Sequence, residues 1–153
     1  MRSDEHLVLV AFKVRPATAS GIRGETLWAE PVGDGRVRLR NTPFCVGGVS
    51  AEDVVFVRRE QGRLVYKGVS LRGGHSTYWI VLESEQQRER FKVRWAALRK
   101  LGCTFEGDGR RTFAVDVPPH ADADEVVDLL QEGASAGVWW YEEANREHPY
   151  RDG

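Results

Sequence analysis

One short segment combines several side chains capable of acid–base chemistry or ligand binding. Arg72-Gly73-Gly74-His75-Ser76-Thr77 carries a guanidinium, an imidazole and two hydroxyls directly before an apolar, β-forming run. The two glycines predict a tight reversal, because neither has a Cβ that penalises a positive φ. We therefore expect His75 at the mouth of a hairpin, on the rim of a sheet.

Strand alternation separates the side chains of this segment. His75 and Thr77 share one face, whereas Ser76 points to the other, so His75 is not placed to activate Ser76. No G-x-S-x-G nucleophile motif is present here. Three roles for His75 stay open: turn structure, ligand recognition, and general acid/base catalysis.

A second candidate region is an alternating strand and the loop that follows it. Pro43 ends the strand's hydrogen-bond ladder, and Asn41 is suited to bond to the loop's own backbone. Three arginines share the strand face opposite Val37 and Leu39, which suits a phosphate, an acidic protein surface or solvent exposure. The predicted binding rim consists of Arg36, Arg38, Arg40, Asn41, His75 and Thr77.

Composition and charge exclude several classes of function. The net charge is −1, so nothing favours binding to nucleic acid or to an anionic membrane. No metal-ligand spacing surrounds Cys45 or Cys103, and we predict reduced thiols, no metal site and no cofactor. The apolar run 7–12 is too short for a signal peptide or membrane span, which predicts a cytoplasmic protein.

The first half reads as short strands joined by glycine turns, which predicts a small bent sheet or partly open barrel. The second half changes to a β-α-β-β-α-β order, typical of ferredoxin-like units. Ser84 and Asp122 or Asp124 are the expected helix caps, and Gly133 and Gly137 predict the end of the second helix. The predicted strands are 7–14, 26–30, 36–40, 53–59, 63–71, 77–83, 103–105, 111–117 and 138–143, and the first helix is 85–101.

The two halves are expected to form one compact α+β body. Residues 1–74 form the barrel half, residues 75–145 the ferredoxin-like half and residues 146–153 a loosely held polar tail. A hairpin over 63–83 is predicted to belong to both sheets, because Trp79 would otherwise add to an exposed tryptophan-rich face.

The two predicted helices carry opposite charge. The first is rich in arginine and lysine, and the second is acidic without a basic residue. Packed side by side they would attract each other; alternatively, they form a docking surface or a homodimer contact. The sheet lacks outward aromatic residues on the strand 111–117, which argues against an RNA-recognition module.

Several blocks resemble a bacterial family, common in actinomycetes, that is known as a domain of unknown function. The resemblance implies a bacterial cytoplasmic setting and transfers no activity. One departure is Glu52, where the family usually has glycine. The blocks are 27–30 (Leu-Trp-Ala-Glu), 38–44 (Arg-Leu-Arg-Asn-Thr-Pro-Phe), 48–50 (Gly-Val-Ser), 53–55 (Asp-Val-Val) and 74–78 (Gly-His-Ser-Thr-Tyr).

The sequence thus favours a non-catalytic binding or regulatory module over an enzyme. Its ligand would be a small anion or a protein partner, in the manner of an adaptor, regulator or immunity-type inhibitor. No nucleophile, base and orienting acid can be assembled from the sequence. The alternative is a small enzyme that uses His75 as its general acid or base.

Overall fold

In the computed structural model, the described residues 6–13 and 24–150 form nine strands and two α-helices. This content confirms the predicted α+β class. The expected end of the first strand at residue 14 and the last three residues of the expected tail lie outside these ranges. The strands are β1 (Val8–Lys13), β2 (Gly24–Gly33), β3 (Arg36–Leu39), β4 (Val54–Glu60), β5 (Arg63–Leu71), β6 (Ser76–Leu82), β7 (Thr104–Gly107), β8 (Thr112–Val117) and β9 (Trp139–Asn145); the helices are α1 (Arg88–Lys100) and α2 (Ala123–Ser135).

Strands β1 to β5 form a closed barrel in sequential order. Successive strands are antiparallel, and a parallel pairing of β1 with β5 closes the ring. The prediction of a partly open barrel is therefore wrong on this point. Register shifts in β2 and β4 mark bulges, which bend strands enough for a five-stranded sheet to close. Val37 and Leu39 point into the barrel, as predicted from alternation.

Strands β6 to β9 form a second sheet in the order β7-β8-β6-β9, with all neighbours antiparallel. Tyr78, Ile80 and Leu82 of β6 lie on the face covered by the helices. They pack with Phe91 of α1 and Val126 of α2 in one apolar core. This core fixes the opposite face of β6 toward the barrel.

The predicted shared hairpin is not formed. β5 belongs to the barrel, where it pairs with β1 and β4, and β6 belongs to the second sheet, where it pairs with β8 and β9. Each strand therefore already has a partner on both edges, and neither edge is left for the other strand. Residues 72–75 are a connection between two sheets instead of a hairpin turn.

The β3–β4 loop attaches the barrel to the open face of the second sheet. Trp79 Nε1 donates to the carbonyl oxygen of Pro43 at 2.8 Å, and Gly48 N donates to the carbonyl oxygen of Ala144 at 3.0 Å. Trp79 is thereby half-buried, whereas Trp140 stays 49% exposed. The barrel half thus covers only part of the tryptophan-rich face that we expected it to cover.

The helix starts differ from each other. Asp122 caps α2 by accepting from the backbone N–H groups of Asp124 and Glu125, as one of the two predicted caps. Ser84 makes no side-chain capping bond, because a 3₁₀ turn over Glu85–Gln87 precedes α1. No helix within the described ranges has the length and apolar content needed to cross a membrane.

Candidate functional site

His75 lies beside an aspartate that strand pairing brings to it. Asp116 stands opposite Thr77 in the β6–β8 ladder, and its two oxygens lie 2.9 and 3.0 Å from Nδ1 of His75. This hydrogen bond is the largest cause of a raised pKa at His75, with the charges of Glu52 and Glu147 adding to it. The carboxylate fixes the ring orientation and favours the protonated imidazole.

The other nitrogen of His75 is open. Within the described ranges Nε2 has no hydrogen-bond partner, and no buried side-chain nitrogen or oxygen is left without one. Nε2 therefore contacts solvent, although the His75 side chain as a whole is only 17% exposed. An imidazole held at Nδ1 and open at Nε2 can donate a hydrogen bond to an anion, or transfer a proton.

Two buried carboxylates share one guanidinium next to the diglycine. Arg72 Nη1 lies 3.3 Å from Asp53 Oδ2 and 3.2 Å from Glu147 Oε2. The backbone N–H of Gly73 donates to Asp53 at 2.8 Å, and that of Gly74 donates to Glu147 at 2.8 Å. Burial, and after it the neighbouring Glu147, raise the pKa of Asp53 to about 7. The 72–75 connection is therefore pinned by charged groups from both sides.

Thr77 is part of the junction between barrel and sheet. Its hydroxyl lies 2.7 Å from Ser50 Oγ, which also accepts a hydrogen bond from Asn145 Nδ2 at 2.8 Å. Thr77 and Ser50 are both completely buried. The expectation of Thr77 on an open binding rim is thus corrected. The Thr77 hydroxyl is bound to a serine of the barrel half, and the Thr77 side chain has no solvent-accessible surface for a ligand.

Ser76 anchors the residues that follow β9. Its Oγ lies 2.6 Å from His148 Nδ1 and accepts from the backbone N–H of Glu147 and of His148. His148 Nε2 lies 2.9 Å from the carbonyl oxygen of Pro118, which can only accept. Nε2 therefore carries the proton, and Ser76 donates to Nδ1. Ser76 Oγ and both ring nitrogens of His148 have hydrogen-bond partners, and both residues are buried. Ser76 is therefore excluded as an activated nucleophile.

This anchoring corrects the prediction of a loosely held tail for residues 146–150. The side chains of Arg146 and Glu147 are 3% and 5% exposed, and His148 is 9% exposed. Arg146 Nη2 donates to Asp124 Oδ1 at 3.1 Å. Polar composition suggested a solvated end, but these side chains have partners in both halves of the protein.

The three predicted arginines lie on the outer face of the barrel and pair with nearby acids. Arg36 is 3.9 Å from Asp34, and Arg38 is 3.7 Å from Glu30. Arg40 is 3.9 Å from Glu30 and 3.2 Å from Glu52. These are exposed or half-exposed pairs of small energetic worth, so the row is mainly a solvated strand face.

Asn41 forms a hydrogen bond within the barrel and none with His75. Its Oδ1 accepts from the backbone N–H of Trp28 at 2.8 Å. In the described ranges, no hydrogen bond or ion pair links Asn41 or the three arginines to His75 or Thr77. Arg40 is paired with Glu52, whose negative charge is one of the smaller causes of the raised pKa of His75. The described contacts therefore do not bring Asn41 or the three arginines to His75.

Neither cysteine is an activated nucleophile. Burial raises the pKa of the Cys103 thiol to about 12. Burial, and after it the negative charge of Glu25, also raise the pKa of Cys45. A thiol whose pKa is raised holds its proton at neutral pH and reacts slowly.

Sequence reasoning missed four residues of this site: Asp53, Asp116, Glu147 and His148. Asp116 stands opposite Thr77 once β6 pairs with β8, so the pairing of these two strands was the signal that would have found it. Glu147 and His148 gave no such signal, because the residues they bind in this site, Gly74 and Ser76, are more than 70 residues away in sequence.

The ionisation of Asp53 and His75 predicts a protein that loses stability as the pH rises. Both pKa values are raised in the folded state, so the folded state binds these protons more tightly than the unfolded state does. The stabilisation from Asp53 is complete below about pH 4 and is lost as the pH rises through about 7. The stabilisation from His75 is lost as the pH rises above about 6.5.

Urea unfolding between about pH 5 and pH 8 measures this loss, with a slope of up to about 1.4 kcal/mol per pH unit for each proton. In Asp53→Asn the slope below pH 7 should be smaller, whatever the absolute stability of the variant. His75→Gln serves as the matched variant and should flatten only the upper part of the range. Equal slopes in the native protein and in Asp53→Asn would contradict this interpretation.

The comparisons with known proteins concern family and fold. The family model described as a domain of unknown function (DUF4265) matches residues 25–141. A crystal structure of a hypothetical protein from Neisseria gonorrhoeae is similar with a TM-score of 0.78 at 20% sequence identity, covering 91% of this chain and 94% of that chain. At this identity the likeness shows the fold alone. No curated protein matches the chain.

Proposed function

The chain belongs to the DUF4265 family of unknown function, and we propose that it is a cytosolic, non-catalytic binding module that recognises an anionic group through His75. Membership confirms the resemblance predicted from the sequence blocks and brings no activity with it. The ligand is a carboxylate or phosphate carried by a small molecule or by a partner protein. Two free cysteines are consistent with a reducing compartment.

One observation carries this proposal: both oxygens of Asp116 hold Nδ1 of His75, and Nε2 is left open. A raised pKa keeps the imidazole protonated to higher pH, so Nε2–H is a charge-assisted donor. The pinned 72–75 connection supports binding without rearrangement, because His75 is already held in one orientation.

Binding is favoured over catalysis because the candidate nucleophiles are committed elsewhere. Ser76 and Thr77 are buried and hydrogen-bonded to His148 and Ser50, and the two thiols have raised pKa values. The second candidate function is general base catalysis, and one observation favours it. An aspartate–histidine pair with an open Nε2 also suits a general base acting on a water or substrate hydroxyl.

The test is a titration with sulfate, which keeps its charge across the pH range used. The imidazole NMR signals of His75 report the binding. We expect saturable shifts that weaken as the pH rises through the His75 pKa. His75→Gln and Asp116→Asn should each weaken sulfate binding about tenfold, in line with the loss of one charged hydrogen bond. Arg38→Gln is the matched control, because it removes an arginine that pairs with Glu30 away from His75.

Two outcomes would overturn the binding role. The first is a set of His75 signals that follow pH but not sulfate. The second is equal sulfate affinity in the native protein and His75→Gln. The catalytic alternative predicts a different result: hydrolysis of an activated ester or phosphoester that is lost in His75→Gln and falls at low pH, where a base is protonated.

A further inference from the structure

A groove runs between the two helices on the side that faces away from the sheet. It has a volume of about 550 Å³ and is lined by residues of both helices. Val93 is 77% exposed, and Ala97 and Leu129 add to the apolar floor. This apolar floor is small, and it marks an interaction surface only together with the charged residues on both sides of the groove.

The two walls of the groove carry opposite charge. Helix α1 has six basic side chains and one acidic, and α2 has four acidic side chains and no basic one. The expected attraction between the neighbouring helices is not realised in direct contacts: within the described ranges, Glu125, Asp128 and Glu132 form no ion pair with α1. Arg94 likewise has no ion-pair partner there. These charges are available to a second surface.

A symmetric dimer provides that second surface. A two-fold axis between facing copies lies in the plane of the contact. If the axis runs along the groove, it exchanges the two sides, so α1 of one copy lies over α2 of the other. If the axis runs across the groove, it places α1 over α1 and repels basic against basic. Charge complementarity therefore selects the axis along the groove.

We propose that this groove is the contact between two copies of the chain, with Arg94 of each copy facing Glu132 of the other and Val93 covered between them. Each 13-residue helix is about 20 Å long, and two adjacent helices span about 20 Å. Such a patch is smaller than standard specific interfaces. We therefore expect a weak, salt-sensitive dimer with a dissociation constant on the order of 100 µM.

Sedimentation of the native chain up to about 500 µM, in about 20 mM and about 500 mM salt, tests the proposal. We expect a dimer at low salt that dissociates at high salt. Arg94→Glu and Glu132→Arg should each be monomeric, because each homodimer contains two like-charge contacts. An equimolar mixture of the two variants should restore the dimer, because both contacts then join opposite charges.

Lys92→Glu is the matched control, since it makes the same change in net charge on the other side of α1, next to Phe105. It should leave the dimer intact, and thermal melting should show all three variants folded. A native chain that is monomeric throughout, a dimer unaffected by Arg94→Glu, or a mixture that stays monomeric would each overturn the proposal. If the native chain is monomeric throughout, the groove is not a dimer contact, and a protein of different sequence would be its partner.

Discussion

Ending the chain at Asn145 is expected to lower the free energy of unfolding by about 3 to 6 kcal/mol relative to a chain that ends at Tyr150. The shorter chain loses Glu147, which accepts from Gly74, Arg72 and Asn145. It also loses His148, the hydrogen-bond partner of Ser76. Buried groups deprived of their partners cost about 1 to 3 kcal/mol each, against a typical total of about 5 to 15 kcal/mol.

Urea unfolding of the two truncated chains measures this difference, with the chain that ends at Tyr150 as the control for truncation itself. Single substitutions divide the effect: Ser76→Ala reports on the His148 anchor, and Glu147→Gln reports on the carboxylate beside Arg72. If both truncated chains unfold at the same urea concentration, residues 146–150 do not support the junction, and the structure's account of it is wrong.

Local patterns in the sequence were sufficient to predict most secondary-structure elements. Period-2 alternation identified β3 with Val37 and Leu39 inward, and Asp122, one of the two predicted caps, marked the start of α2. These signals depend on residues a few positions apart. They require no knowledge of what lies on the other side of the sheet.

Long-range partners were not predictable from the same patterns. His75 and Asp116 are 41 residues apart, and Ser76 and His148 are 72 apart. Barrel closure depends on a register between β1 and β5, which alternation within either strand does not encode. The prediction of a shared hairpin is wrong for a related reason: β5 and β6 are neighbours in sequence but belong to different sheets.

Gly133 illustrates how one residue type can carry two meanings. Glycine near a helix end usually marks a C-cap, and the sequence predicted the end of α2 there. The helix instead continues to Ser135, and a Cβ at Gly133 would lie 2.3 Å from the Trp139 indole. The glycine provides space for a buried tryptophan whose Nε1 donates to the carbonyl oxygen of Leu130. Only the tertiary contact distinguishes these roles.

Gly73→Ala is the substitution expected to damage the site most directly. A Cβ at Gly73 would lie 2.5 Å from the carbonyl oxygen of Glu52 and 2.8 Å from its carbonyl carbon. These are backbone atoms of a tight turn in which Ser50 N donates to Asp53 Oδ2 and Asp53 N donates to the carbonyl oxygen of Ser50. The turn cannot yield without breaking those bonds, so we expect a loss of about 3 kcal/mol.

The same substitution should displace His75, because Gly73 N is bound to Asp53 two residues before the imidazole. We expect the pKa of His75 to fall toward its ordinary value as its contact with Asp116 loosens, which histidine NMR titration measures directly. Gly62→Ala is the control: it has φ of +79° and open space around the added Cβ, so it should cost only about 1 kcal/mol and leave His75 unchanged.

Glu52 offers a sharper version of this test. Its φ of +73° is a left-handed conformation that costs a non-glycine residue about 1 kcal/mol or more. Glu52→Gly should relieve that strain at the expense of an exposed ion pair with Arg40. A glycine at position 52 can also shift its carbonyl, so Gly73→Ala should cost markedly less in the Glu52→Gly background. If the two substitutions have additive effects on unfolding, the close approach of these two backbone segments is not the cause of the damage.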